Sequence, residues 1–240
     1  MVKILRLYSG VSINLFQPIT LPVTSSHYLY NVMRRKKGDK VIIFDGKSGE
    51  FESEIKLASR SKIILEPKRK LAEISMPEDI WVAFTPIKKV RTDFAIEKCT
   101  EIGVRQIFPL ISDHSTNRNP RIEKWKLNSI EAVEQCGGNF LPEIHMICTL
   151  ENFLVNLPKD RKLIFCDEVA AEPLIGEALA KQIFGKACLL IGPEGGFSKT
   201  ERKILLSRNN VFPVSLGSRI LRTETAVTFA LAAWHANYSI

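Results

Sequence analysis

No apolar stretch in this chain approaches the roughly 20 consecutive residues needed to cross a bilayer. The segment from Met1 to Leu21 also lacks the continuous apolar core and small-residue cleavage site of a secretory signal. A soluble, cytoplasmic protein is therefore the expectation. Cysteine is scarce, with five in 240 residues, an odd and widely spaced set at Cys99, Cys136, Cys148, Cys166 and Cys188. That pattern suits buried reduced thiols better than a disulfide framework. His27, His114, His145 and His235 form no HExxH, and no cysteine pair has CxxC spacing, so no metal is expected.

The formal net charge of +8 is distributed unevenly. Residues 1–70 carry 14 Lys and Arg against 6 Asp and Glu, whereas residues 71–240 carry 20 of each. A compact basic module beside a neutral one suggests that the first grips a polyanion while the second does chemistry, although charge alone fits a solvated basic face equally well.

The first 70 residues read as short strands, at Ile4–Tyr8, Val11–Phe16, Lys40–Phe44, Glu50–Leu57 and Lys62–Leu65, with turns at Asp45-Gly46 and Ser48-Gly49. One helix interrupts them, capped by Ser25 or Ser26 and ending in Arg34-Arg35-Lys36-Lys37 before Gly38. Together these predict a small β-barrel with one helix. Pro67–Pro77 reads as a linker, and two domains are expected, residues 1–70 and 71–240.

Beyond it the hydrophobic period changes to alternating strands and helices. Strands are expected at Ile80–Phe84, Val104–Ile111, Ile144–Ile147, Lys162–Cys166, Ala187–Ile191 and Val211–Leu216. Helices are expected from a Thr85-Pro86 cap to Gly103, and over Ile122–Cys136, Glu172–Lys181, Ser198–Leu206 and Thr223–Ala236. Such succession implies βαβ units and a mostly parallel sheet, hence an α/β fold.

Two polar loops stand between strand and helix in this half, Gly192-Pro193-Glu194-Gly195-Gly196-Phe197-Ser198 and Leu216-Gly217-Ser218-Arg219-Ile220-Leu221-Arg222-Thr223-Glu224-Thr225-Ala226. Ligands of open α/β sheets bind outside the carboxyl ends of strands, where glycine lets backbone approach them, so two neighbouring loops suggest one shared pocket. Ser198-Lys199-Thr200-Glu201 is a capping box, which starts a helix directly after the glycines. A Walker A loop would need glycine where Ser198 precedes Lys199, and a Rossmann fingerprint belongs after the first strand, so neither nucleotide motif fits. A glycine loop carrying a carboxylate instead suits a neutral or cationic ligand such as S-adenosylmethionine.

These loops closely resemble those of the RsmE family of SPOUT methyltransferases, which methylate N3 of uracil in ribosomal RNA. The resemblance extends to Glu97-Lys98-Cys99-Thr100-Glu101-Ile102-Gly103-Val104, to Glu134-Gln135-Cys136-Gly137 with Pro142-Glu143-Ile144, and to His27-Tyr28-Leu29, Val32-Met33-Arg34 and Gly38-Asp39. It implies a PUA-like RNA-binding β-barrel domain followed by a trefoil-knot α/β methyltransferase domain that works as a homodimer. It further implies S-adenosyl-L-methionine as cofactor, contacted by Leu190, Gly192, Gly195, Leu216, Gly217, Ile220 and Leu221. The implied substrate is small-subunit ribosomal RNA, free or in the assembled subunit. A non-catalytic ribosome-assembly factor, or a SPOUT enzyme acting on another nucleotide, are the competing readings.

The N3 position of uracil is a poor nucleophile until its proton is removed or charge on the flanking carbonyl oxygens is stabilised. Arg222, always charged, is the candidate for the oxygen, with an ion pair to Glu224 or Glu194 as its plainer role. Glu194 is the first candidate for the proton, ahead of Glu101 and Glu224. Arg6, His27, Arg34, Arg35 and Lys36 are candidates for RNA contact, the last two on charge alone. Gly138 and His114 stand where the family usually has arginine.

Overall fold

The computed structural model describes residues 5–116, 120–170, 173–181 and 184–238. Packing separates two compact units, Met1–Met76 with Val133–Leu141, and Pro77–Ala132 with Pro142–Ile240.

In the first unit β1 (Arg6–Tyr8), β2 (Ile19–Thr20), β3 (Lys40–Phe44), β4 (Glu50–Ala58) and β5 (Ile63–Ala72) form one sheet in the order β1-β3-β4-β5-β2. Only the β1–β3 pair is parallel. Alternation of buried and partly exposed residues along β4 places Phe51 and Ile55 in a core with Leu7, Val41, Ile43, Ile63 and Leu65. The described strand pairings make a half-barrel, without a β1–β2 pairing to close it.

Several local expectations give way to tertiary contacts here. Val11–Phe16 is not a strand: Gly10 and Phe16 take positive φ, and Ile13 N–H donates to the Asp45 carboxylate instead of a ladder. The helix α1 (Val23–His27) starts earlier than expected and continues as a π-helical turn over Tyr28–Val32. Ser26 is no cap; its hydroxyl is buried, donating to Leu21 O and accepting from Ile63 N–H. Residues 67–72 belong to β5 rather than to a linker, so the strand runs across the boundary expected at 70–71. Pro67 is tolerated beside a register shift in β4, and its carbonyl accepts from Phe16 N–H. Lys68 pairs with Glu66, which lessens the cost of a cationic strand. Ile4, at the start of the first expected strand, lies outside the described residues.

The second unit is built on β6 (Ile80–Phe84), β7 (Gln106–Ile111), β8 (Glu143–Ile144), β9 (Cys148–Thr149), β10 (Lys162–Cys166), β11 (Ala187–Ile191) and β12 (Val211–Val214). Its order is β12-β10-β11-β6-β7-β8, with β9 beside β7, and every pair is parallel. The helices are α2 (Lys89–Ile102), α3 (Ile122–Cys136), α4 (Leu150–Asn156), α5 (Ile175–Lys181), α6 (Lys199–Leu206) and α7 (Thr223–Tyr238). Both faces of the sheet are covered, and period-2 alternation decides what goes where. Ala187, Leu189 and Ile191 of β11 join α2, α5 and α7, while Cys188 and Leu190 join α4 and α6. Burial pushes the Cys99, Cys166 and Cys188 thiols far above their ordinary pKa, so they behave as apolar packing groups.

The Thr85-Pro86 cap is a further correction. Thr85 shares a hydrogen bond with the Ser112 hydroxyl at 3.3 Å, and α2 begins four residues later, after Thr92 Oγ1 has taken the Ile87 N–H at 3.0 Å. Along α2, Thr92, Ala95, Ile96 and Cys99 are buried, whereas Val90 and Phe94 are exposed. Of the expected strand 144–147 only Ile144 is paired, at the end of β8; residues 145–147 lead irregularly to β9, with His145 stacked on Phe108 at 4.0 Å. Helix α4 was not anticipated, although Leu150, Phe153 and Leu154 have helical spacing and Thr149 caps them. Glu172, the expected start of α5, lies outside the described residues.

Candidate active site

The carboxyl ends of β10, β11 and β12 are neighbours in the sheet, and the loops that leave them enclose one cleft. Its walls are Cys166-Asp167-Glu168 after β10, Ile191–Glu194 and Gly196 after β11, and Ser215–Leu221 after β12, closed by Thr223 and Ala226.

The β11 loop is shaped by its glycines and by Phe197. Gly196 N–H donates to Pro193 O at 2.9 Å, which turns the chain, and Gly196 sits at φ 65°. A Cβ on Gly192 would stand 3.0 Å from the Phe197 ring, which is buried edge-on to Phe165. The turn ends in the expected capping box: Ser198 Oγ accepts from Glu201 N–H and Glu201 Oε2 accepts from Ser198 N–H. His114 reaches this loop, with Nδ1 2.9 Å from Gly195 O and 3.0 Å from Gly196 O. Both partners are acceptors, so the ring presents Nδ1–H. His114 thus donates to the β11 loop.

The two glycine loops are joined directly. Buried Thr223, first residue of α7, donates its hydroxyl to Gly192 O at 3.1 Å. Arg91, in the first turn of α2, ion-pairs with Glu194 and lies 3.6 Å from Glu224 Oε1. The β10 loop is held by Asp167, whose buried carboxylate accepts from Arg202 Nε at 3.1 Å and Nη2 at 2.6 Å. Arg91, Asp167, Glu168 and Thr223 were not singled out as site residues. An Asp-Glu pair directly after a buried strand was the available signal for two of them, since the strand-end rule that located the other loops applies equally to β10.

Among the residues expected at the cofactor, Gly192, Leu216, Gly217, Ile220 and Leu221 line the cleft. Leu190 and Gly195 do not: Leu190 is buried against α4 and α6, and Gly195 is exposed beside His114. Glu194 is at the rim, bonded to Arg91. Arg222 is exposed, lies outside the lining, and makes no ion pair among the described residues.

The first unit separates its candidate RNA contacts. Arg6 is a correction, because its guanidinium is fully engaged: it pairs with Glu50, donates to Val133 O, Glu134 O and Gly138 O, and packs over Phe44. It caps the carboxyl end of α3, and the Gly138 carbonyl takes one of its donors at 2.6 Å. His27, Arg34 and Lys36 are exposed and Arg35 is half-buried. Arg34 takes φ 50°, a strained value for a residue with a side chain, directly after the π-helical turn.

A glycine-lined cleft at the carboxyl ends of parallel strands agrees with what known proteins show. The profile of an RNA methyltransferase domain matches residues 75–235, and that of an RNA methyltransferase PUA domain matches residues 22–68. Fold and cleft thus define an RNA methyltransferase with a PUA domain.

The chain belongs to the ribosomal RNA small subunit methyltransferase E family. It is 32% identical over 242 residues to the member from Buchnera aphidicola subsp. Schizaphis graminum, covering 96% of this chain and 95% of the relative. To the Rickettsia conorii member it is 30% identical over 207 residues, 86% and 84% of the two chains. The crystal structure of a ribosomal RNA small subunit methyltransferase E from Neisseria gonorrhoeae bound to S-adenosyl methionine matches with a TM-score of 0.86 at 28% identity over 97% of each chain. A Legionella pneumophila methyltransferase with bound SAM matches with a TM-score of 0.87 at 28% identity over 98% of each. The family resemblance read from the motifs therefore holds.

Proposed function

We propose that this chain is an S-adenosylmethionine-dependent methyltransferase acting on N3 of a uridine in small-subunit ribosomal RNA in the cytoplasm, with the unit of Pro77–Ala132 and Pro142–Ile240 doing the chemistry and the unit of Met1–Met76 and Val133–Leu141 holding the RNA. The observation that carries this reading is the single cleft formed by the loops after β10, β11 and β12, within a family whose members bind this cofactor.

The residues present fit the cofactor. Gly217 is exposed at φ 114°, and a Cβ there would meet nothing within 4 Å, so bare backbone is open to a ligand. Leu216, Ile220 and Leu221 supply apolar walls for an adenine ring, while Glu168 and Glu194 make the cleft favourable to a cation and unfavourable to phosphates. When bound, S-adenosylmethionine supplies a methyl group activated by its sulfonium centre.

The chain's own work is to prepare the uracil. Glu194, ion-paired with Arg91 at the rim of the cleft, accepts the N3 proton. Arg222, which makes no ion pair among the described residues, donates to a flanking carbonyl oxygen as negative charge develops there. His27, Arg34, Arg35 and Lys36 hold phosphates and orient the RNA without reading its sequence.

Homodimerisation and the trefoil knot through the Leu216–Leu221 loop belong to this reading. In its support, α2 and α7 both carry exposed apolar side chains, Val90 and Phe94 on one and Phe229 on the other.

Methyl transfer from tritiated cofactor to undermethylated small subunits, assembled or as naked RNA, tests the proposal. Label recovered as N3-methyluridine in a nuclease digest is expected. No transfer to either substrate beside an active control enzyme would refute it, and label in another nucleoside would refute the assigned position.

A further inference from the structure

The β10 loop brings two acidic residues to the cleft in very different states. Asp167 is consumed by the fold: its carboxylate is buried, held by Arg202, and accepts from Val169 N–H. Glu168 is exposed, lines the cleft, and forms no hydrogen bond or ion pair among the described residues. Arg202 is an electrostatic neighbour, but its Nε and Nη2 already serve Asp167. The Glu168 carboxylate is nevertheless not loose in position. It lies against the Cα of Gly196, where any Cβ would collide with Oε1, so the β10 and β11 loops meet at this carboxylate.

A free, prepositioned carboxylate immediately after a parallel strand, beside a glycine turn, is equipped to accept two hydroxyl hydrogens at once. Acidic side chains at strand ends of open α/β sheets take ribose hydroxyls for this reason. We propose that Glu168 binds the ribose diol of the adenosyl ligand, which makes the β10 loop a third element of cofactor recognition beside the two glycine loops. This rests on the reading that the cleft holds S-adenosylmethionine. Gly196 is then required twice, for the positive φ of its turn and to leave room for the carboxylate.

Calorimetry of the full chain with S-adenosylhomocysteine and its 2′-deoxy and 3′-deoxy analogues tests this, in the natural protein and in Glu168→Gln. Loss of a hydroxyl bonded to the carboxylate weakens binding to the natural protein by about tenfold. In Glu168→Gln, S-adenosylhomocysteine itself binds about tenfold more weakly, and the further loss on removing a hydroxyl shrinks to less than about threefold. An equal deoxy penalty in both proteins, or none in the natural protein, overturns the assignment. Failure of the natural protein to bind S-adenosylhomocysteine at all overturns the cofactor reading itself and is distinct from both outcomes.

Discussion

Replacing Arg202 by methionine takes away the cation opposite Asp167, whose side chain is 2% exposed, and leaves a buried carboxylate with the backbone Val169 N–H as its remaining donor among the described residues. Methionine preserves much of the apolar stem, so the loss is electrostatic rather than one of packing. Breaking one side of a buried pair costs about 3–5 kcal/mol. The Arg202 side chain is 25% exposed and water can reach the vacated space, which places the expected cost near the lower end, at about 3 kcal/mol. At about 2–4 °C per kcal/mol for a chain of this size, the thermal midpoint falls by about 6–12 °C. Adding Asp167→Asn removes the stranded charge while keeping an oxygen for Val169 N–H, and should recover the larger part of the loss. Scanning calorimetry at neutral pH reads both changes. A fall of less than about 2 °C for the single variant, or no recovery in the double variant, would refute the view that a buried ion pair anchors the β10 loop.

Arg222→Ala should lower turnover by about 100-fold with S-adenosylhomocysteine affinity and melting temperature nearly unchanged, because the side chain is exposed and takes part in no ion pair among the described residues; near-normal turnover would end its catalytic assignment. Gly217→Val should abolish detectable S-adenosylhomocysteine binding in calorimetry, since φ 114° disfavours a branched side chain and the new atoms enter the cleft; retained affinity would place the ligand elsewhere. Burial pushes the imidazole pKa of His145 and His235 below its ordinary value. The unfolded chain then binds more protons than the folded one just below the ordinary histidine pKa of about 6.5, so stability is complete above that pH and declines as pH falls through it. The urea midpoint should therefore drop between pH 7.5 and 5.5, and less steeply in His145→Gln; an identical slope would remove His145 from the account. Val90→Glu should shift the sedimentation of the chain toward the monomer, and an unchanged species would exclude this face of α2 from the dimer contact.

Local chemistry was legible in the sequence wherever it acts over a few residues. Alternation and burial delimited β3, β6 and β11 to the residue, and the capping box of α6 was readable because both of its hydrogen bonds join Ser198 to Glu201, three positions apart. The glycine loops stood out because strand, glycine and helix follow one another directly, and the family resemblance needed nothing beyond the order of such segments. Tertiary structure alone decided which strand ends become neighbours. The placement of β10 between β11 and β12 recruits Asp167 and Glu168 to the cleft, and the packing of α2 against α7 brings Arg91 to Glu194 and Glu224. It also turned Arg6 from a candidate RNA contact into the cap of a helix more than a hundred residues away, and carried β5 through a stretch composed like a linker. The physical reason is common to all of these: strand pairing and side-chain satisfaction join groups that lie apart in the chain, and such partners leave no periodic or positional signature in the segments they connect.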